Sequence, residues 1–117
     1  MSDHILVVDD DPWIRDLVEL ALSGEGYRVA TAENGCEALR LVDEDPPRLI
    51  LLDMRMPVLD GWQFAERYRQ KPEPRAPIVC ITAAVDAPRS SAEISAAAVL
   101  EKPFNLDDLF RVVDQLV

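Results

Sequence analysis

Short apolar runs and helix-period stripes alternate along this chain of 117 residues. The run Ile5–Val8, bounded by polar residues, predicts a fully buried strand, since a strand apolar at every position must be covered on both faces. A helix starts near Pro12, with Ile14, Leu17, Val18, Ala21 and Leu22 recurring at the spacing of one core-facing side. Asp11 then Pro12 supply an N-cap and a first helical residue, and Gly24 and Gly26 end the element. Residues 28–32 predict a second strand, and residues 35–43 a second helix with Ala38, Leu39 and Val42 on one side. Pro46-Pro47 breaks the pattern before a third strand at 49–52. After a loop ending in Asp60-Gly61, which suits a helix cap, the next helix carries Phe64, Ala65 and Tyr68.

The turn-rich stretch Lys71-Pro72-Glu73-Pro74 leads to a fourth strand at 78–81. A fourth helix falls somewhere in 88–98, where an alanine-rich pattern offers few large anchors, and Val99-Leu100 predicts a short fifth strand. The last helix is marked by Leu106, Leu109, Phe110, Val113 and Leu116. Strands alternating with helices imply a doubly wound α/β domain over 1–117, with a parallel sheet and right-handed crossovers.

Two of the strand ends carry acid. The first apolar run leads into Asp9-Asp10-Asp11, and the third into Asp53. The carboxyl ends of strands in an open parallel sheet border the ligand crevice, so these groups should converge. Two carboxylates ~4 Å apart repel by about 1 kcal/mol in water-like surroundings and about 4 kcal/mol at an effective dielectric of about 20. A hard cation relieves that repulsion, and a site with few carboxylates and room for water suits Mg²⁺ better than Ca²⁺. The bland alternative is that Asp9, Asp10 and Asp11 only cap the following helix.

The fourth run ends in Thr82-Ala83-Ala84 and the fifth in Glu101-Lys102-Pro103, which adds a hydroxyl and an ammonium at the same edge. Such a set suits phosphoryl transfer. Asp53 can act as an oxygen nucleophile, a metal held by its neighbours can offset developing charge, and Thr82 and Lys102 can bind phosphoryl oxygens.

The segments Val7-Val8-Asp9-Asp10-Asp11-Pro12, Leu51-Leu52-Asp53-Met54-Arg55-Met56-Pro57-Val58-Leu59-Asp60-Gly61, Ile81-Thr82-Ala83 and Lys102-Pro103-Phe104 follow in order. In these pieces the chain resembles the response-regulator receiver domain of two-component signalling over essentially its whole length. The resemblance implies a flavodoxin-like five-stranded parallel sheet of order 2-1-3-4-5 with five helices. It implies Asp53 as phosphoacceptor and an Mg²⁺ site formed by Asp10, Asp9 (through water), Asp53 and the backbone carbonyl of Arg55. Thr82 would be the switch hydroxyl, Lys102 the phosphate-pairing cation, and Lys102–Pro103 a cis bond. The implied partners are a histidine kinase or histidine phosphotransfer protein as donor and an output protein or domain that the sequence does not name. The implied function is a phosphorylation-dependent switch that turns over no external substrate.

Some positions depart from the family. Val99 stands where receivers carry an aromatic residue three before the lysine, and Ser95-Ala96 replaces the Gly-Ala pair usual before that strand. Arg55 and Ala84, two beyond the acceptor and two beyond the switch hydroxyl, flank the approach of a hydrolytic water in receivers. Arg55 is long enough to lie across the phosphoryl group and hinder that water, the alternative being that it points to solvent and does nothing. Trp13 is expected near the mouth of the acidic pocket.

Composition narrows the partners. Net charge is −10, which argues against a direct nucleic-acid or anionic-membrane surface. No apolar run nears the ~20 residues of a membrane span, and Met1-Ser2-Asp3-His4 lacks the features of a signal peptide, so the expected compartment is the cytoplasm. Cys36 and Cys80 have no zinc-type spacing. A degenerate receiver that binds partners without phosphorylation is a rival reading. A dehalogenase-type phosphatase would want an acid where Arg55 stands, and a flavin or nucleotide binder would want a glycine-rich cradle where Asp9-Asp10-Asp11 stands.

Overall fold

The computed structural model describes residues 3–117, with the backbone alone at 90 and 91; Met1 and Ser2 of the N-terminal reading lie outside the described residues. The elements in chain order are β1 (Ile5–Val8), α1 (Pro12–Gly24), β2 (Val29–Ala32), α2 (Gly35–Glu44), β3 (Leu49–Asp53), α3 (Gly61–Arg69), β4 (Ile78–Ala83), α4 (Ala87–Ile94), β5 (Ala98–Lys102) and α5 (Leu106–Leu116), with a 3-10 turn at Ala84–Asp86 before α4. The strands form one sheet in the order β2-β1-β3-β4-β5, and every pairing is parallel. Five helices and this order match the doubly wound arrangement expected from the alternating pattern.

Strand side chains alternate between the two faces of the sheet, so two cores form. Leu6, Val8, Ile50, Leu52 and Cys80 meet α2, α3 and α4 through Ala38, Val42, Phe64, Tyr68 and Ile94. Ile5, Val7, Leu49, Leu51, Val79, Ile81 and Leu100 meet α1 and α5 through Val18, Leu22, Leu109 and Val113. Phe64 stacks on Tyr68 at 5.6 Å between ring centroids, and the Tyr68 hydroxyl accepts from the backbone N–H of Ala76 at 2.8 Å. Among the described residues no helix is long and apolar enough to cross a membrane.

Caps fall where the sequence puts small polar residues. The Asp11 side chain accepts from the N–H of Trp13 at 2.9 Å. Asn34 and Asn105 cap α2 and α5 in the same way. Asp60 and Gln63 form a reciprocal capping box at α3, as the cap reading of Asp60-Gly61 requires.

The corrections lie at the far end of the sheet. The fourth helix follows a 3-10 turn and starts at Ala87, one residue ahead of the 88–98 window, while β5 runs from Ala98 to Lys102 and not only over Val99-Leu100. An edge strand pairs on one side only, and its backbone ladder with β4 continues through Glu101 and Lys102 although their side chains are polar. Ile94 is the buried large side chain that anchors the alanine-rich helix. Val58, with a φ of 71°, sits in the left-handed region that β-branched residues avoid, at the centre of a tight turn in which the Leu59 N–H donates to the Pro57 carbonyl at 2.8 Å.

Gly61 is where α3 is pressed onto the end of β3. A Cβ there would lie 2.6 Å from the Met54 sulfur, 2.7 Å from the Met54 Cα and 2.9 Å from the Asp53 carbonyl oxygen. The Gly61 N–H also donates to the Met54 carbonyl at 3.0 Å. Gly61→Ala should therefore cost roughly 1–3 kcal/mol in urea unfolding, because backbone must move to admit the methyl. Gly24→Ala, where a Cβ meets nothing within 4 Å, should instead raise stability by up to about 1 kcal/mol. Equal effects at the two glycines would contradict this packing.

Candidate functional site

Strand register builds the site. Val8 is level with Leu52, so Asp9 and Asp53, each one residue further on, emerge side by side. Asp53 is level with Ile81, which places Thr82 one step beyond it, and Lys102 is level with Ala83. Alternation then sorts the side chains. Asp9, Asp53 and Lys102 continue the series Ile5–Val7, Leu49–Leu51 and Ala98–Leu100 on the face covered by α1 and α5, whereas Thr82 follows Cys80 on the other face. A long lysine at the edge strand can thus reach both carboxylates.

The distances bear this out. Lys102 Nζ lies 3.4 Å from Asp53 Oδ1 and 3.5 Å from Asp9 Oδ2. One carboxylate oxygen from each of Asp9, Asp10 and Asp53 lies within 4.8 Å of the other two. Asp9 is 0% and Asp53 3% exposed, so neither acid can rely on bulk water, whereas Asp10 faces solvent. Asp9 Oδ1 accepts from the Asp11 N–H at 2.9 Å, and Arg15 of α1 donates to the Asp9 carbonyl at 2.7 Å. The other oxygen, Asp9 Oδ2, has no hydrogen-bond partner, and neither has the buried hydroxyl of Thr82.

These surroundings perturb Asp53, Asp9 and Lys102. Burial, reinforced by the neighbouring Asp9 charge, pushes the Asp53 carboxyl up to about 7, against the opposing pull of Lys102 and of the Arg55 N–H that donates to it. Burial also raises Asp9, opposed by the Asp11 N–H and Lys102. Burial alone would lower Lys102, but Asp53 and Asp9 together overcome it and hold the ammonium above its ordinary value. By contrast, burial pushes the Cys80 thiol up to about 12, which leaves it an inert core group.

The structure thus brings together Asp9, Asp10, Asp53 and Lys102, and sets Thr82 beside them at the same sheet edge. The Arg55 backbone is at the site, but its side chain is not where the sequence suggests. The guanidinium donates from Nε to Asp86 Oδ2 at 3.0 Å and from Nη2 to Asp86 Oδ1 at 2.9 Å. A bidentate carboxylate matches the planar fork of arginine, and this draws the side chain away from the expected place over the acceptor. Asp86 went unremarked in the sequence, where only its position four residues past Thr82 could have drawn notice. Trp13 projects into solvent from the first turn of α1, 73% exposed. The Lys102–Pro103 bond is cis, as the resemblance implies.

An all-oxygen cluster fits a hard divalent cation. Three carboxylates face one ammonium, and one buried carboxylate oxygen still lacks a hydrogen bond.

Comparison with known proteins extends these observations to the whole chain. Residues 5–114 match the family model described as the response regulator receiver domain. The chain is 40% identical over 114 residues to transcriptional regulatory protein GlrR of Escherichia coli (strain K12), which covers 95% of this chain and 25% of that protein. It therefore spans about a quarter of GlrR's length. It is 36% identical over 110 residues to sporulation initiation phosphotransferase F of Bacillus subtilis (strain 168), covering 93% of this chain and 89% of that protein. The chemotaxis response regulator CheY4 of Vibrio cholerae superposes with a TM-score of 0.89 at 30% identity, with 100% of both chains covered. A match that begins in the first strand and continues into the last helix leaves one conclusion, that this chain belongs to the response regulator receiver domain family.

Proposed function

We propose that the chain, taken as one receiver domain over 1–117, is a phosphorylation-dependent switch in which Asp53 accepts a phosphoryl group from a histidine kinase or histidine phosphotransfer protein. The observation that carries this reading is the buried Asp53 carboxylate beside Lys102, at a strand end whose other groups are acidic. In the transfer, an Asp53 oxygen forms a bond to phosphorus as the bond from phosphorus to the donor histidine nitrogen breaks. Lys102 is placed to pair with one phosphoryl oxygen, and the unpartnered Thr82 hydroxyl to donate to another. Asp10, Asp9 through water, Asp53 and the Arg55 carbonyl would hold Mg²⁺, which when bound neutralises charge on the phosphoryl oxygens. The chain modifies itself and turns over no external substrate.

The wider setting belongs to this proposal too. GlrR is named a transcriptional regulatory protein. In a protein built like it, this chain with its net charge of −10 would receive the signal in the cytoplasm and leave DNA contact to another part. Val99 is half-buried against the core on the α2–α4 side and has no ring to reorient. The change at Asp53 therefore passes through Thr82 and the connection that follows it.

Three outcomes test the reading. With Mg²⁺ and acetyl phosphate, the intact mass should rise by one phosphoryl group, and Asp53→Asn should abolish the rise; undiminished uptake in that variant would remove Asp53 from the role. On phosphorylation, amide shifts should be larger from Thr82 to Asp86 than around Val99, and the reverse order would contradict the proposed route.

The third outcome concerns pH. Because the folded Asp53 value lies near 7 and the ordinary one is 3.8, the folded chain binds this proton more tightly than the unfolded one. Metal-free stability from this group is thus fully present below about pH 4 and is lost as pH rises through about 7. Mg²⁺ must displace the same proton. Its affinity should fall by about tenfold per pH unit below about pH 7 and level off above it. Calorimetric affinities that stay flat from about pH 6 to about pH 8 would count against the buried acid as a ligand.

A further inference from the structure

Arg55 stands two residues beyond the proposed acceptor, and its own N–H donates to the Asp53 carboxylate. Its backbone is therefore fixed against the site, and the only freedom left is in the side chain. That side chain turns away. Asp86 takes the guanidinium in a two-bond pair, and the Asp86 side chain is only 15% exposed, whereas that of Arg55 is 63% exposed. The carboxylate is thus the fixed half of the pair and the arginine the movable half. Trp62, at the start of α3, adds a second hold: the guanidinium carbon of Arg55 lies over its ring, 5.0 Å from the centroid. Arg89 of α4 lies 4.5 Å from the same centroid, and its Nε donates to Glu93 at 2.8 Å. Cation–π contact and the bidentate pair act together to keep Arg55 on the α3–α4 side.

A phosphoryl group on Asp53 would present three anionic oxygens close to this arginine, a target that the planar guanidinium fits as well as it fits a carboxylate. Asp86 competes with that group for the side chain. We propose that Asp86 is a positioning residue which holds Arg55 clear of the phosphoryl group and so sets how quickly water can reach it. This inference rests on the reading of Asp53 as the acceptor. Hydrolysis is a displacement at phosphorus. A water oxygen forms the new bond, the bond to the Asp53 oxygen breaks, Asp53 leaves as carboxylate, and the proton lost by the water passes to solvent as inorganic phosphate departs. An arginine lying across the phosphoryl group occupies the in-line approach, and reaction in a positioned site is sensitive to displacements of this kind. With Asp86 present the path is open; without it, Arg55 can close it. Ala84, on the other flank, has only a methyl and cannot substitute for Asp86.

The test is a double-mutant cycle on lifetime. The full chain is phosphorylated with acetyl phosphate and Mg²⁺, the donor is removed, and loss of the phosphoryl group is followed by intact mass. Asp86→Ala should slow the loss several-fold, Asp86→Glu should restore most of the parent rate, and in an Arg55→Ala background Asp86→Ala should have no further effect. Unchanged or faster loss in Asp86→Ala, or an equal effect with and without Arg55, would overturn the proposal. An independent readout needs no phosphoryl group: the Arg55 Nε–H resonance should be protected from exchange in the parent and lose that protection in Asp86→Ala. An unprotected resonance in the parent overturns the pair, whatever Asp53 does. Failure of the parent to gain phosphoryl mass overturns the acceptor reading and this inference with it, whereas normal uptake with a lifetime indifferent to Asp86 overturns this inference alone.

Discussion

Asp9 and Asp53 stand side by side at the ends of adjacent strands, both almost wholly removed from water. At ~4 Å and an effective dielectric of about 20, such a pair repels by about 4 kcal/mol, and burial adds a desolvation cost to each charge. Much of the surrounding structure answers this constraint. Lys102 reaches back from the edge strand to both carboxylates, the Asp11 N–H donates to Asp9, and the charge left over favours a proton on Asp53. The chemistry proposed for Asp53 depends on that imbalance, since a carboxylate already satisfied by its neighbours would have little reason to gather a divalent cation and a phosphoryl group.

Sheet topology makes the imbalance possible. Parallel strands deliver their carboxyl ends to one edge, and crossover helices close both faces above and below. Thr82 is on the opposite face from the carboxylates yet at the same edge, so its hydroxyl is buried without a partner rather than bound to Lys102. That arrangement leaves a donor free for the phosphoryl group proposed for Asp53. It also links the acceptor face to the α3–α4 side, where the 3-10 turn, Asp86 and Arg55 lie within one short stretch of contacts.

Much of this was legible in the residues. The runs at Ile5–Val8 and before Asp53 are apolar throughout because those strands are buried on both faces, and each ends abruptly in acid, so strand and site were marked together. Thr82 and Lys102 are placed by the order of the strand ends, and the roles proposed for them come from family resemblance. Polar side chains over a continuing backbone ladder hide the end of the edge strand from the sequence pattern, and the alanine-rich stretch leaves the limits of the fourth helix open because Ile94 is its one large buried anchor among the described residues. The Arg55 side chain was misplaced for another reason. Its partner is 31 positions away, and a two-bond pair between loops depends on where two connections happen to pass, which no local pattern encodes.

The claim on which the account turns is that burial, with Asp9 alongside, holds the Asp53 carboxyl far above the ordinary aspartate value until a cation arrives. Carbon-13 NMR of the Asp53 side-chain carboxyl, titrated in metal-free buffer and again with saturating Mg²⁺, measures this directly. The account predicts a metal-free midpoint of about 7 that moves to lower pH when Mg²⁺ is added. A metal-free midpoint near the ordinary 3.8, unmoved by the cation, would contradict it.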